Sequence, residues 1–310
     1  MLISVFKSNQ TIVNGLTALL FAFFCTLTFF FGAGLNPNIT TGFRFLDFIL
    51  LFFLVTGQAI YLNYIVNNYK LTRVDSHLTS LVFVLLNSVF LWFFELNWAV
   101  IANTFVVMAL HQLFRLYGTK NHFSIIFNTG LLIGMAGMIY FPMALYMLVF
   151  CMFLIYTTTP TWRDFVIAFI GFFVPTAYYI IYQIIVKTGL IINYNTDVQH
   201  LFAVSWETLA PVHQLQLLGW AIVFVFALIY LLATIGSSVI KKRKLLMMTL
   251  LMLVVGLNSL WLNQYDFSAT LLIISIPISI IMAIFFQNIK KIWLAEIIFL
   301  CLLIVLILGY

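Results

Sequence analysis

The chain has 310 residues, of which 65% are hydrophobic and only 7% charged, and its mean hydropathy is +1.16. Soluble domains carry about 25% charged residues, so a water-soluble enzyme or binding module is excluded, and runs that are continuous rather than alternating exclude a transmembrane β-barrel. The formal charge of +6 is scattered through short loops, as membrane topology requires, and leaves no footprint for nucleic acid.

About eleven transmembrane helices are predicted, at roughly 14–33, 45–66, 77–94, 98–117, 122–140, 142–158, 164–186, 214–236, 245–262, 268–287 and 293–309. The expected fold is therefore all-α, a polytopic membrane helix bundle forming a single integral membrane domain over residues 1–310. The first apolar run, 15–31 behind Lys7, is too long for the core of a secretory signal and reads as an uncleaved helix. Cys25, Cys151 and Cys301 each fall inside an apolar run, without metal-ligand spacing, and read as packing residues.

Orientation follows from the basic residues. With the N-terminus cytoplasmic, Lys7, Lys70, Arg73, Arg115, Lys120, Arg163, Lys241, Lys242, Arg243, Lys244, Lys290 and Lys291 all lie inside, leaving Arg44 and Lys187 outside. An odd number of spans then puts the C-terminus in the periplasm. Outside loops are expected at 32–44, 94–98, 187–213 and 263–268, with 187–213 the longest. The lipid bilayer is the first partner this pattern implies.

Segment 121–187 is the most patterned. Gly130, Gly134 and Gly137 recur at near-helical spacing before Pro142, and Gly171 and Pro175 interrupt the third run. Glycines four apart let helix backbones approach in a bilayer, and proline is tolerated where neighbouring helices re-satisfy the freed carbonyl. A tight helical hairpin followed by a kinked helix is expected.

Candidate chemistry gathers on the outer face. Arg44 and Asp47 share a helix face; they read either as a helix-end ion pair or as an anion-binding Arg oriented by Asp47. Glu95 and Asp266 lie in two tight outer turns flanked by aromatics. They read as solvated turn residues or, where the turns meet, as a base or ligand. Asp197, His200, Glu207 and His213 occupy the long loop at spacings that fit no zinc motif, so no metal site is assigned. Segment 201–209 reads as a short interfacial helix, with Trp206 among the headgroups. His111 and Arg115 lie near an inner helix end, where Arg snorkels, and Glu296 reads as a charge near Lys290 and Lys291. No mid-helix acid is present for a proton path, which disfavours a permease. The residues name no cofactor.

The stretch FNTGLLIGMAGMIYFP, the basic loop TPTWRDF, the helix FIGFFVPTAYYIIYQ and the later QYDFSATLLIISIPISIIMAIFF are together similar to segments of the GT-C glycosyltransferase superfamily. They cover about a third of the chain. Those polytopic enzymes use polyprenyl-phosphate-linked sugars. The resemblance implies a GT-C-like bundle handling such a lipid or sugar on the periplasmic face, with Asp47 or Glu95 as catalytic base. Arg44 would hold the phosphate, and His200, Glu207, His213 and Asp266 would complete the substrate site. One departure bears on activity. The superfamily places a catalytic carboxylate in a long first outer loop, whereas 32–44 is short and contains none, so the fold would be kept with its chemistry lost or moved to Asp47 or Glu95. The chain as a whole also resembles a polytopic inner-membrane family of Bacteroidota, which implies the bacterial inner membrane as its setting. The alternative reading is a non-catalytic membrane subunit or scaffold of a larger cell-envelope assembly, with 187–213 as the docking surface for membrane protein partners.

Overall fold

The computed structural model describes residues 6–7, 12–31, 41–90, 98–117, 122–157, 160–186, 211–262, 267–289 and 291–307. These form eleven α-helices: α1 Ile12–Phe31, α2 Thr41–Asn68, α3 Leu78–Phe90, α4 Trp98–Leu116, α5 Phe123–Ile139, α6 Tyr146–Thr157, α7 Trp162–Val186, α8 Pro211–Ile235, α9 Ile240–Leu262, α10 Phe267–Asn288 and α11 Ile292–Ile307. A 3-10 turn, Phe141–Leu145, stands between α5 and α6. Among the described residues there is no strand. Among the described residues, five helical segments are long and apolar enough to cross a membrane: Leu46–Asn68, Trp98–Leu116, Trp162–Tyr182, Gln214–Ile235 and Leu271–Asn288.

The chain divides into two compact units. The first contains Met1–Asn97, Ser205–Leu246 and Ser275–Tyr310, and the second contains Trp98–Val204 and Met247–Ile274.

In the first unit, α3 is the innermost helix, with every residue from Leu78 to Val89 buried. Three of its four polar members bond locally: Ser80 Oγ donates to His77 O at 2.8 Å, Asn87 Nδ2 to Phe83 O at 2.8 Å and Ser88 Oγ to Val84 O at 2.9 Å, while Thr79 Oγ1 has no partner among the described residues. Such back-bonding lets polar residues sit in a helix that water does not reach. Phe21 of α1 stacks on Phe52 of α2, ring centroids 6.1 Å apart. Where α8 meets α11, Gln216 Nε2 donates to Val305 O at 3.1 Å and Leu306 O at 2.9 Å, occupying carbonyls that the last turn of α11 leaves without intrahelical donors.

The second unit is organised by glycine. A Cβ on Gly130 would stand 3.2 Å from Phe172 N and closer still to Ala168 O. One on Gly134 would collide with Phe172 O, and one on Gly171 with Phe127 O. The partners advance together along the two helices, so α5 and α7 run parallel with their backbones in contact. The glycine stripe expected to tighten the α5–α6 hairpin therefore mainly serves α7. Gly137 alone faces the hairpin, where its Cβ would lie 2.9 Å from Ala144 Cβ. Pro142 opens the 3-10 turn, where a missing N–H is tolerated. Tyr146, wholly buried, donates its hydroxyl to Ile273 O at 2.9 Å and so satisfies its one polar atom.

Candidate functional site

Arg44 and Asp47 fall in the first two turns of α2, one turn apart as their spacing requires. Asp47 is half-buried; the side chain of Arg44 lies outside the described residues, and so does that of His213 in the first turn of α8. Glu95, His200, Glu207 and Asp266, with Asp197 and the segment 201–209, lie outside the described residues altogether. Among the described residues no cluster of three or more His, Cys, Asp or Glu side chains forms a possible metal site. Cys25 is buried, Cys151 half-buried and Cys301 exposed, and none of the three forms a disulfide.

Two polar constructions stand out among the described residues. One is at the start of α7. Thr161 precedes the helix and Asp164 lies at its third position; Thr161 N–H donates to Asp164 Oδ2 at 2.7 Å, and the Thr161 hydroxyl to the same oxygen at 3.1 Å. This is a capping arrangement of the T-x-x-D type. The other carboxylate oxygen takes a hydrogen bond from His122 Nε2 at 3.2 Å. His122 is the N-cap of α5, so one nearly buried carboxylate ties together the N-termini of the two parallel helices, where negative charge is favoured by both dipoles. Arg163 points elsewhere, 6.0 Å from the ring centre of the exposed Trp162. This cluster is a fastening.

The second construction closes one end of the first unit, around the loop 69–77 between α2 and α3. Helix α2 ends in a Schellman motif: Leu71 N–H donates to Val66 O at 3.0 Å and Lys70 N–H to Asn67 O at 3.0 Å, with Lys70 at φ 51°. Asn67 then grips Ser76 twice, Nδ2 to Ser76 O at 3.1 Å and Ser76 N–H to Oδ1 at 3.3 Å. Gln287, at the end of α10, clamps the loop's apex; its Oε1 accepts from Arg73 N–H at 2.8 Å and its Nε2 donates to Val74 O at 2.5 Å. His77 N–H donates to Phe6 O at 2.9 Å, and Asn63 Nδ2 donates to His77 Nδ1 at 3.1 Å. That bond leaves the ring proton on Nε2. Burial pushes the His77 pKa below the ordinary imidazole value, so the ring is neutral at pH 7.

Basic side chains surround this loop. Lys241 Nζ lies 5.8 Å from the Tyr69 ring centre. Lys242 is held below the usual ammonium range, first by burial and then by the charge of Arg73. Lys7 adjoins Phe6 and is lowered by burial too. Contacts thus gather at one end basic residues that the sequence spreads from position 7 to position 242. Sequence reading placed them on one side of a membrane but gave no reason for them to touch. The rigid loop left no sequence signal beyond its polar composition. Comparison with protein-family models, with curated proteins and with solved structures finds no match to this chain.

Proposed function

We propose that the chain is a polytopic inner-membrane protein of GT-C-like architecture that handles a polyprenyl-phosphate-linked lipid or sugar on the periplasmic face. The observation that carries this reading is the α5–α7 pair. The two glycine-bearing segments on which the resemblance rests pack against each other, backbone to backbone, at those same glycines. In this reading Arg44 binds the phosphate and Asp47 or Glu95 takes a proton from the acceptor hydroxyl as polyprenyl phosphate leaves. His200, Glu207, His213 and Asp266 close over the donor. The test is purification from the native membrane in mild detergent, with bound lipid identified by mass spectrometry, for the parent chain and for Arg44→Ala and Glu95→Ala. The reading expects a stoichiometric polyprenyl phosphate that is lost, or is no longer turned over, in both variants. Full retention and turnover in both would sink the site assignment.

A specific observation favours a second reading, a non-catalytic subunit or scaffold of a cell-envelope assembly. Only 11% of the Trp162–Tyr182 span and 22% of the Gln214–Ile235 span is buried by the rest of the chain, which leaves broad apolar faces for lipid or for other membrane helices. A defined set of co-purifying proteins, with only bulk lipid, would decide for this reading.

A further inference from the structure

The basic end of the first unit holds an unusual conjunction. Arg73 and Lys242 are close enough for one to depress the other's protonation, and neither side chain has an ion-pair or hydrogen-bond partner among the described residues. Asp75, the loop's one carboxylate, is exposed and pairs with neither. Lys241, Lys242, Arg243 and Lys244 fall within the first turns of α9, whose first intrahelical bond is Arg243 N–H to Val239 O at 2.8 Å. Cations there oppose the helix dipole. Like charges gathered at the positive end of a helix raise the free energy of the site until an anion joins them.

A second observation is independent of charge. Basic loops that only satisfy membrane topology need no fixed shape, yet this one is held by the Schellman motif, the Asn67–Ser76 pair, the Gln287 clamp and the Phe6 carbonyl. The clamp acts on the backbone of Arg73 itself. Within the same loop, Thr72 Oγ1 and Ser76 Oγ belong to residues only 5% and 1% exposed, and neither oxygen has a partner among the described residues. A cationic loop whose backbone is held in one shape is a component of a preorganised anion site.

We propose that this end of the first unit binds a phosphate group between Arg73 and Lys242, with Gln287 as the positioning residue that fixes Arg73. The chemistry is that of a terminal phosphate anion, carried by a lipid headgroup as a monoester or present as free phosphate. The site lies at the opposite end of α2 from Arg44 and Asp47, about 40 Å away along a 28-residue helix, and does not depend on the sugar-lipid reading.

The full chain in neutral detergent is titrated with inorganic phosphate against chloride at fixed ionic strength, and separately with dioleoyl phosphatidic acid against dioleoyl phosphatidylcholine. Thermal midpoint and native mass spectrometry are the readouts. A saturable rise in the midpoint with either ligand is expected. Response to inorganic phosphate assigns the free ion, and response to phosphatidic acid alone assigns a lipid headgroup. Arg73→Gln and Lys242→Gln should each weaken half-saturation about tenfold, the worth of one charge-assisted contact. Gln287→Ala, which leaves net charge unchanged, should weaken it about threefold. Arg115→Gln, an exposed cation of the second unit, should change nothing. Should Gln287→Ala fail to fold, Arg73→Lys takes its place, keeping the charge and losing the planar fork. Absence of a saturable response overturns the proposal. So does equal weakening by Arg115→Gln, or full affinity in the charge-conserving variant, since either outcome makes the binding diffuse attraction to a basic surface.

Discussion

Helices α3 and α7 invert what a soluble protein would do with the same residues. Helix α3 carries Thr79, Ser80, Asn87 and Ser88 and is buried at every residue from Leu78 to Val89. Helix α7 carries Phe169, Ile170, Phe173, Tyr178, Ile181 and Tyr182, all exposed. In water that exchange would cost about 25 cal/mol for each Å² of apolar surface left outside. In hydrocarbon the cost disappears, and van der Waals packing and polar satisfaction decide which helix goes inside. In α3 polar residues are thus buried alongside the apolar ones, and on α7 large apolar residues stay outside.

The comparison breaks first at the glycines. If packing rather than hydrophobicity holds α7, Gly134→Ile must be the most damaging of these changes, because the new side chain meets the backbone of Phe172. A loss of about 3 kcal/mol or outright failure to fold is expected, read as the unfolding midpoint in detergent. Gly57→Ala on α2 is the matched control. Nothing lies within 4 Å of its added Cβ, and it should be neutral or stabilising by about 0.5–1 kcal/mol. A Gly134→Ile chain as stable as the parent would show that α5 and α7 are not held by close approach.

Next in size is Asp164→Ala, which removes the capping carboxylate, strands His122 Nε2 and leaves the first turn of α7 without its acceptor. About 1–2 kcal/mol should be lost. Asp164→Asn should recover part of it, because the amide oxygen still accepts from Thr161 N–H.

How far these features could be read in advance depended on how local their causes are. Eleven apolar runs gave eleven helices, because run length and the Gly and Pro breaks are properties of short windows. The largest boundary shift is at α9, expected from 245 and found from Ile240: a hydropathy window discards Lys and Arg, although both are good helix formers. The Thr161–Asp164 box is likewise local. Its His122 partner, 42 residues away, and the Arg73–Gln287 clamp, 214 residues apart, are products of packing and left no mark on composition. Glu95, His200, Glu207 and Asp266 were legible only as residue types, and all four lie outside the described residues.

A smaller effect tests the polar interior of the first unit. His77 is buried with its pKa lowered, so the unfolded chain takes up a proton at a higher pH than the folded one. Stability is therefore full above the ordinary imidazole range and falls as pH drops through it. The slope is at most about 1.4 kcal/mol per pH unit for one proton. Unfolding midpoints between pH 7.5 and 5.5 should fall for the parent chain, and His77→Gln should flatten that dependence.

The smallest effect expected is at the outward face of α7, and it sharpens the comparison most. Phe169 and Phe173 form an offset stack, ring centroids 6.4 Å apart, on a surface that the rest of the chain does not cover. If lipid covers that surface, the double change Phe169→Ala, Phe173→Ala exchanges side chains against a solvent as apolar as they are. It should then shift stability by less than about 0.5 kcal/mol, both in detergent and in the native membrane. A partner helix would give a different pattern: no change for the isolated chain in detergent, but loss of co-purifying protein and faster turnover of the chain in its own membrane. The two environments together thus separate a lipid-facing helix from an assembly interface, and with it the lipid-handling reading from the scaffold one.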